Sequence, residues 1–173
     1  MTAPDDAWSP IGKLDAAHDV EAFDCGKPPL DAFLRRHALV NLKAGGAQTY
    51  VVCRAGRRVV GYYSLAYGAV EHADAAARMA KGMARHPIPV MLLARLAVDR
   101  REQARGLGRA LLKDALLRTA RAADIAGMRA LLVHAKDEEA RAWYATFDFE
   151  RSPTDPLHLF LLLKDLRALI DGR

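Results

Sequence analysis

A polar loop with two glycines joins an apolar strand to a long helix, and this segment is the part of the sequence best suited to chemistry. The strand is predicted over Val90 to Val98 and the helix from about Leu107 to Ala126, with Gly106 and Gly108 in the turn. The first N–H groups of a helix have no partner inside it, and the helix dipole adds positive potential there. Glycines let a phosphate approach the backbone closely. The segment therefore predicts an anion site, surrounded by three arginines: Arg101, Arg105 and Arg109.

Three kinds of nucleotide-binding loop compete for this pattern. A Walker loop requires Gly-Lys followed by Ser or Thr, which the sequence does not contain. A dinucleotide fingerprint requires a third glycine, but Leu111 stands at that position. The spacing Gln103-x-x-Gly106-x-Gly108 resembles instead the pyrophosphate loop of the GNAT family of acetyl-CoA-dependent N-acetyltransferases. An ordinary strand–turn–helix with a glycine turn is the alternative interpretation.

This resemblance implies that acetyl-CoA is the acetyl donor and that it binds to the loop and to the strand before it. Backbone groups of that strand would pair with the amides of acetyl-CoA, where neighbouring strands splay apart. Its N–H groups would also polarise the thioester carbonyl and stabilise the oxyanion. The residues assigned to acetyl-CoA in this way are Leu96, Ala97, Val98, Gln103, Ala104, Arg105, Gly106, Leu107, Gly108, Arg109, Asp137 and Ala140.

A second helix, predicted from Asp137 to Phe147, supports the same interpretation. Asp137, Ala140 and Tyr144 are spaced i, i+3 and i+7, which places them on one helix face. In GNAT enzymes the helix after the fifth strand presents a tyrosine to the sulfur of acetyl-CoA, and Tyr144 matches that position. A tyrosine there can act as general acid for the leaving thiolate, whose pKa should resemble the value of about 8.5 for Cys. The family often has Asn at the position of Asp137, and a core tyrosine is the alternative interpretation of Tyr144.

A narrower resemblance covers roughly residues 23 to 163. The sequence looks like the GNAT toxins of bacterial type II toxin–antitoxin modules in several blocks, which follow the family's order. These blocks are Phe23-Asp24-Cys25-Gly26, Leu30-Asp31-x-Phe33-Leu34, Val60-Gly61-Tyr62-Tyr63-Ser64-Leu65, Arg85-His86-Pro87-Ile88-Pro89-Val90, Leu93-Ala94-Arg95-Leu96-Ala97-Val98-Asp99, His134-Ala135-x-Asp137 and Ser152-Pro153. Two departures replace usual glycines: Ala104, which is tolerated if its φ is negative, and Asp148, which can occupy a left-handed turn.

The toxin resemblance implies transfer of acetyl from acetyl-CoA to the α-amino group of aminoacyl-tRNA, which blocks peptide acceptance and stalls translation. An α-amine has a pKa near 7.7–8.0, so a strong dedicated base is dispensable, and none is obvious. Arg85 and Arg95 are the basic residues expected to bind the tRNA, although a solvated-face or salt-bridge role stays open. The resemblance also implies a ribbon–helix–helix antitoxin that covers the active site, operator DNA bound only through that antitoxin, and a homodimer.

Two other functions are compatible with the sequence. The same fold could transfer acetyl to a small-molecule amine or to a protein N-terminus. It could also serve as an inactive corepressor-type binding module, against which the retained Gln103, Gly106, Gly108 and Tyr144 argue. No metal site is expected, because the histidines outside the family blocks lack ligand spacing.

The composition indicates one globular domain. The chain has 173 residues, of which 51% are hydrophobic and 27% charged, so it can bury a sizeable core and is not a disordered chain. Two cysteines beside no His–Asp arrangement predict neither a disulfide framework nor a thiol nucleophile. No apolar run approaches the roughly 18 residues of a membrane span, and residues 1–6 do not resemble a signal peptide. We therefore expect a single GNAT domain over residues 1–173, in the bacterial cytoplasm and without a membrane partner.

The charge balance is mildly basic. The chain has 26 basic and 21 acidic residues, a net charge of +5, and 19 of the basic residues are Arg. Arg suits phosphate recognition because its planar fork donates two hydrogen bonds at once. The excess therefore permits a polyanionic partner such as tRNA, although the codon usage of a GC-rich genome also explains it.

Strands and helices alternate along the chain, which predicts the α/β (α+β) class with a mixed sheet. The resemblance specifies a GNAT fold: a mostly antiparallel central sheet flanked by helices, with a splayed central strand pair that binds acetyl-CoA. The remaining predicted elements are an edge strand at 8–14, a helix at 30–42, a hairpin of strands 49–54 and 59–70, a helix at 73–84, a strand at 130–135, terminal strands at 149–151 and 157–163, and an amphipathic tail helix.

Overall fold

The structure is a computed structural model that describes residues 7–172, so the acidic N-terminal segment 1–6 lies outside the described residues. The strands are β1 (Gly12–Lys13), β2 (Gln48–Arg54), β3 (Arg58–Val70), β4 (Ile88–Val98), β5 (Ala130–His134), β6 (Glu150–Arg151) and β7 (His158–Leu162). The helices are α1 (Pro28–Ala32), α2 (Ala38–Ala44), α3 (Ala77–Ala80), α4 (Leu107–Ala123), α5 (Glu138–Ala145) and α6 (Leu163–Ile170). A π-helical turn (Phe33–His37) joins α1 to α2, and 3-10 turns cover His72–Asp74 and Arg100–Glu102.

The seven strands form one sheet in the order β1-β2-β3-β4-β5-β7-β6. Antiparallel pairing joins β1 to β2, β2 to β3, β5 to β7 and β6 to β7, whereas β4 and β5 are parallel. The parallel register runs from Val90 opposite Ala130 to Leu93 opposite Val133. The predicted mixed, mostly antiparallel sheet with flanking helices is confirmed. None of the helices within residues 7–172 is long and apolar enough to cross a membrane.

The described chain divides into two compact units, of which the first comprises residues 7–65 and 95–115. Its helical segment starts at Pro28, where a proline costs no hydrogen bond, and ends at Gly45, whose φ of 78° allows a left-handed cap. The buried face of this segment packs on β3: the ring of Phe33 stacks on Tyr62 at 6.1 Å between centroids. The Tyr62 hydroxyl donates a 2.7 Å hydrogen bond to the Leu30 carbonyl.

The second unit comprises residues 66–94 and 116–172 of the described chain. Its core cluster combines α3 with strands β4, β5 and β7 and consists of Met79, Ile88, Val90, Ala130, Phe160 and Leu162. Because α3 is only four residues long, its carbonyls need partners outside the helix. The Arg129 guanidinium donates to the carbonyls of Arg78, Met79 and Lys81 at 3.0–3.2 Å and fixes the end of this short helix.

Most predicted elements are present, but the helix predicted over 73–84 is wrong in extent. Only the 3-10 turn His72–Asp74 and α3 form there, and the chain leaves the helix at Lys81, whose ψ is 121°. The alanine- and methionine-rich composition favours helix, but Met79 is the one fully buried residue of α3. A one-sided apolar face long enough to support a longer helix is therefore absent from this described segment. The edge strand predicted at 8–14 shortens to Gly12–Lys13.

Candidate active site

The loop from β4 to α4 is built around the buried carboxylate of Asp99. Asp99 caps the 3-10 turn by accepting the Arg101 N–H at 3.0 Å, and it also accepts the Asp24 N–H at 3.1 Å. The Arg101 guanidinium donates to both carboxylate oxygens at 3.1 and 3.2 Å. Burial alone would raise the pKa of Asp99, but these hydrogen bonds hold it below its usual value. Asp99 therefore fixes the loop as a permanent anion.

A second buried carboxylate, Glu102, lies in the same loop and binds residues that are far apart in the sequence. Arg54 forms an ion pair with it at 2.6 Å, the Trp8 indole N–H donates to it at 2.9 Å, and Arg105 lies 3.7 Å away. Burial raises the pKa of Glu102, yet the hydrogen bonds from Arg54 and Trp8 bring it below its usual value. The role of Glu102 could not be predicted from the sequence, because its partners are Trp8, near the N-terminus, and Arg54 of β2.

Stability should depend on pH through this pair of carboxylates. Because the pKa of Glu102 is depressed in the folded protein, the unfolded chain binds more protons as the pH falls through the ordinary value of 4.5. We expect the contribution of Glu102 to the free energy of unfolding to be fully present above that pH and to decline below it. Urea titrations between about pH 3 and pH 7 measure this decline.

Glu102→Gln isolates the contribution of this carboxylate. We expect it to lower the free energy of unfolding by about 1–3 kcal/mol at neutral pH, because Arg54 loses its charged partner, and to flatten the acid decline. The matched control is Glu138→Gln, since Glu138 is exposed at the start of α5 and forms an ion pair there with Arg141. An acid decline of unchanged steepness in Glu102→Gln would contradict the assignment.

Two of the three arginines predicted to surround the pyrophosphate are paired with carboxylates of the same loop. Arg101 is bound to Asp99, and Arg105 lies beside Glu102, although more than half of each side chain is exposed. Both positive charges are thus partly balanced by carboxylates of the same loop. The positive potential of this loop rests correspondingly more on backbone N–H groups and on the start of α4.

Gln103 holds the loop against the end of β4. Its side-chain amide donates to the Val98 carbonyl at 2.9 Å and to the Cys25 carbonyl at 3.1 Å. Gln103 therefore positions backbone within the predicted acetyl-CoA segment. Gly106, with φ of 84°, follows in an open stretch where an added Cβ would meet no atom within 4 Å. A glycine is required at position 106 by the left-handed φ and not by lack of space for a side chain.

Two non-glycine residues occupy left-handed backbone where the toxin family usually has glycine. Ala104 has φ of 63° and Asp148 has φ of 68°. The condition under which Ala104 would be tolerated, a negative φ, is therefore not met. Left-handed backbone costs an alanine about 1–2 kcal/mol because Cβ approaches the following carbonyl oxygen. The loop carries this strain within its predicted phosphate-binding segment.

Ala104→Gly should relieve the strain. We expect it to raise the free energy of unfolding by about 0.5–1 kcal/mol, the relief being partly offset by the greater freedom of glycine in the unfolded chain. Ala110→Gly in α4 is the matched control, and it should destabilise by about 1 kcal/mol because its backbone is helical. Urea denaturation measures both variants, and equal destabilisation by the two would contradict the strain.

The start of α4 packs closely on β3 at Gly61. Leu107 and Leu111 of α4 are fully buried, and a Cβ at Gly61 would lie 3.2 and 3.0 Å from them and 2.9 Å from Val52. No side chain fits at Gly61 without displacing this contact. Gly61 thus allows the first turn of α4 to pack closely on β3, which sets the position of the predicted anion site, Gly106 to Arg109.

The end of β4 carries the strand residues that were assigned to acetyl-CoA. Pairing of β4 with β5 ends at Leu93, whereas β4 itself continues to Val98. Leu96, Ala97 and Val98 therefore lie in the part of β4 beyond its register with β5, as the predicted splayed pair requires. Ala97 is buried in the core of the first unit, while its neighbours are half-buried.

The residues predicted to bind tRNA have different surroundings. The Arg95 guanidinium lies over the ring of Phe33, in the π-helical turn, at 3.8 Å from the centroid. This cation–π contact orients Arg95 while leaving its charge uncompensated by that partner. Arg85 is exposed in the segment before β4, in the second unit. Arg78, on α3 of the same unit, forms ion pairs with Glu150 and with Asp165, so its charge is balanced within the protein.

Helix α5 in the second unit positions Tyr144. Asp137, where the family often has asparagine, caps this helix, and its carboxylate accepts the Ala140 N–H at 2.8 Å. The Tyr144 ring is buried and meets Trp143 and Phe149 edge to face at 5.0 and 5.7 Å. Burial raises the pKa of Tyr144, which keeps its hydroxyl protonated at neutral pH. Tyr144 can therefore donate a proton but not accept one in its resting form.

Thiol chemistry finds no support in the structure. Cys25 and Cys53 are both free and buried. Burial raises the pKa of Cys25 to about 11 and also raises that of Cys53, so neither forms a thiolate at neutral pH. Within residues 7–172, no cluster of three or more His, Cys, Asp or Glu side chains could hold a metal ion.

Comparison with known proteins identifies the family. The family profile described as "Acetyltransferase (GNAT) domain" matches residues 46–151. A protein named tRNA-acetylating toxin, from Mycobacterium tuberculosis, is 58% identical over 163 residues, which cover 94% of this chain and 97% of that protein.

Solved structures agree. AtaT complexed with acetyl-methionyl-tRNAfMet has a TM-score of 0.86 and 30% identity, covering 94% of this chain and 99% of that one. A tyrosine-to-phenylalanine mutant of AtaT, bound to the C-terminus of the antitoxin AtaR and to acetyl-CoA, has a TM-score of 0.81 and 29% identity, covering 96% and 99%. With the profile match and the identity over nearly the whole chain, these similarities show that the chain belongs to the GNAT family of acetyltransferases.

Proposed function

We propose that this protein is a toxin that transfers acetyl from acetyl-CoA to the α-amino group of aminoacyl-tRNA and thereby stops translation. The observation that carries the proposal is the 58% identity, over 94% of the chain, to a tRNA-acetylating toxin. The chain retains the parts such a reaction needs: the glycine loop at the start of α4, the β4 segment beyond its register with β5, and the protonated Tyr144. Its net charge of +5 suits a polyanionic substrate.

In this mechanism the backbone supplies most of the binding. The N–H groups at the start of α4 receive the pyrophosphate of acetyl-CoA, helped by Arg109, while Gln103 holds the loop that leads to them. Backbone N–H groups of Leu96 to Val98 polarise the thioester carbonyl and stabilise the charge that develops on its oxygen. The N–H groups of α4 and β4 are positioned by regular structure, so they need little reorganisation when acetyl-CoA binds.

Tyr144 completes the reaction as the general acid. The amine attacks the thioester carbon, and the departing sulfur needs a proton because its thiol pKa is near 8.5. Tyr144 is held protonated by burial and is anchored by two aromatic neighbours, so it presents its hydroxyl in a fixed orientation. Arg85 and Arg95 would contact the acceptor end of the tRNA.

The proposal extends to partners and setting. We infer an antitoxin partner of the ribbon–helix–helix type that covers the active site and carries operator DNA, and a homodimeric toxin. AtaT, which is similar over nearly the whole chain, is itself bound to the antitoxin AtaR. We also infer a cytoplasmic location, because charged tRNA would be the substrate. We further infer that residues 1–173 act as a single GNAT domain, since the family profile spans residues of both units.

The test is direct. The purified protein is incubated with labelled acetyl-CoA and a set of tRNAs charged with different amino acids, and acetylated aminoacyl-tRNA is separated and identified. We expect label on at least one charged tRNA and none on uncharged tRNA. Turnover of free amines or of protein N-termini without tRNA would favour a different GNAT transferase. Absence of acetyl-CoA binding would favour a corepressor without activity.

A further inference from the structure

Two histidines of the second unit stack face to face where β5 and β7 pair. His134 ends β5 and His158 begins β7, and the two residues are directly opposite each other in the antiparallel register. Their rings lie 3.8 Å apart between centroids, with planes inclined by only 13°. A carboxylate oxygen of Asp155 lies 3.5 Å from the Nε2 atom of His158. The mechanism described above uses none of these groups.

The position of His134 suggests a role in catalysis. Parallel pairing between β4 and β5 ends at Leu93 and Val133, so His134 is the first residue of β5 beyond that register. The carboxyl ends of parallel strands are where ligands bind in many open sheets. The His134 ring is exposed, whereas the preceding Val133 is buried. Three residues later Asp137 caps α5, the helix that carries Tyr144.

The charges around His134 favour its neutral form. Burial of part of the ring and the like charge of His158 across the stack hold the pKa of His134 below its usual value, against the opposing pull of Asp155. The β4 residues in register with β5 are all apolar, from Val90 to Leu93. On its own segment Lys136 is exposed, and the Asp137 carboxylate is engaged by the Ala140 N–H. A neutral imidazole can accept a proton, and a protonated one cannot.

We propose that His134 is a catalytic residue that accepts the proton which the α-ammonium group of the aminoacyl ester must lose before attack. His158 acts as a positioning residue, which holds the His134 ring by stacking and discourages its premature protonation by like charge. This inference rests on the proposed function, because it assigns a proton acceptor to that reaction. It adds a dedicated base where the residue types alone had made one dispensable.

The protons and electron pairs of the step balance. An N–H bond of the ammonium breaks, its proton goes to a ring nitrogen of His134, and the freed electron pair forms the bond to the thioester carbon. Collapse of the tetrahedral intermediate breaks the C–S bond, and the sulfur takes the proton of Tyr144. The nitrogen then gives its second proton to the Tyr144 oxygen, and His134 releases its proton to water. The products are the acetylated amine, CoA with a free thiol, and one proton.

The experiment compares His134→Gln with the wild type across pH. We measure kcat/KM for aminoacyl-tRNA at saturating acetyl-CoA between about pH 6 and pH 9, correcting for hydrolysis of the ester. Glutamine cannot take the proton, so kcat/KM should fall roughly 10²-fold or more at the acid end. The deficit should shrink above the α-amine pKa of about 7.7–8.0, because the substrate amine is then already neutral. Acetyl-CoA affinity, measured by calorimetry, should not change.

His158→Phe separates the two histidines. Phenylalanine keeps a flat ring for stacking but carries no charge, so the pKa of His134 should rise and the acid limb of kcat/KM should move to higher pH. His72→Gln removes a histidine from the 3-10 turn after β3 and should leave the profile as in the wild type. His134 is exposed and His158 and His72 are half-buried, and circular dichroism should show that all three variants fold.

Each outcome decides the matter. A pH-dependent deficit in His134→Gln supports the assignment. An unchanged rate, or a deficit of equal size at every pH, means that His134 is not the proton acceptor and overturns it while leaving the proposed function intact. No acetylation of any charged tRNA by the wild-type protein overturns the proposed function and this assignment with it.

Discussion

Tyr144→Phe is expected to slow acetyl transfer roughly 10²–10⁴-fold while acetyl-CoA affinity stays near the wild-type value. The phenol oxygen is the only atom removed, and no other residue of the described chain forms a hydrogen bond with it, so the fold should lose little stability. The leaving thiolate, however, loses its proton donor. Because burial keeps the Tyr144 hydroxyl protonated, the full population of the wild-type enzyme can supply this proton at neutral pH.

The measurement separates chemistry from binding. Single-turnover rates with labelled acetyl-CoA and charged tRNA report the chemical step, and calorimetry reports affinity for acetyl-CoA. Tyr67→Phe is the matched control: Tyr67 on β3 is 65% exposed, so removal of its hydroxyl should change neither quantity. Wild-type turnover in Tyr144→Phe would remove Tyr144 from the mechanism. Weakened acetyl-CoA affinity with normal turnover would make it a binding residue instead.

The part of the fold that sequence predicts well is the part governed by local pattern. The apolar run of β4 indicates a strand covered on both faces, and Leu111, Leu112 and Leu116 recur at helical spacing in α4. Such patterns fix which face of each element is buried. The helix predicted over 73–84 is wrong in extent because local pattern does not decide it. The composition of this segment favours helix, but long-range contacts, above all those of Arg129 with the end of α3, determine where the helix stops.

The candidate site divides in the same way. The glycine loop and the helix with Tyr144 could be predicted because their residues are close in sequence and carry family spacing. The network of Glu102 could not, since Trp8 and Arg54 lie 94 and 48 positions away and meet it only in the folded chain. The stack of His134 on His158 depends likewise on the register of β5 and β7. A one-residue shift of that register would turn the two rings to opposite faces of the sheet.

Residue type alone also does not reveal the backbone conformation. The sequence indicated that Ala104 and Asp148 replace glycines, but whether this costs anything depends on φ. Both angles are positive, so both residues occupy left-handed backbone at an energetic cost that a glycine would avoid.

Gly108→Glu is the second change with a large expected effect, and it should abolish measurable binding of acetyl-CoA. Gly108 is the second residue of α4, in the first turn, where N–H groups without helical partners face the predicted pyrophosphate. A glutamate there introduces both bulk and negative charge against a ligand that is itself negative. Glutamate is well tolerated in the first turn of a helix, so α4 itself should form normally.

Gly127→Glu provides the matched control. It makes the same change of charge and size at the turn after α4, where an added Cβ meets no atom within 4 Å. Calorimetric titration should show wild-type affinity for acetyl-CoA in Gly127→Glu and no heat of binding in Gly108→Glu. Retained affinity in Gly108→Glu would mean that the loop does not hold the pyrophosphate. Because Arg101 and Arg105 are already partly balanced by Asp99 and Glu102, the pyrophosphate depends mainly on the N–H groups at the start of α4, and a carboxylate placed against them should abolish binding.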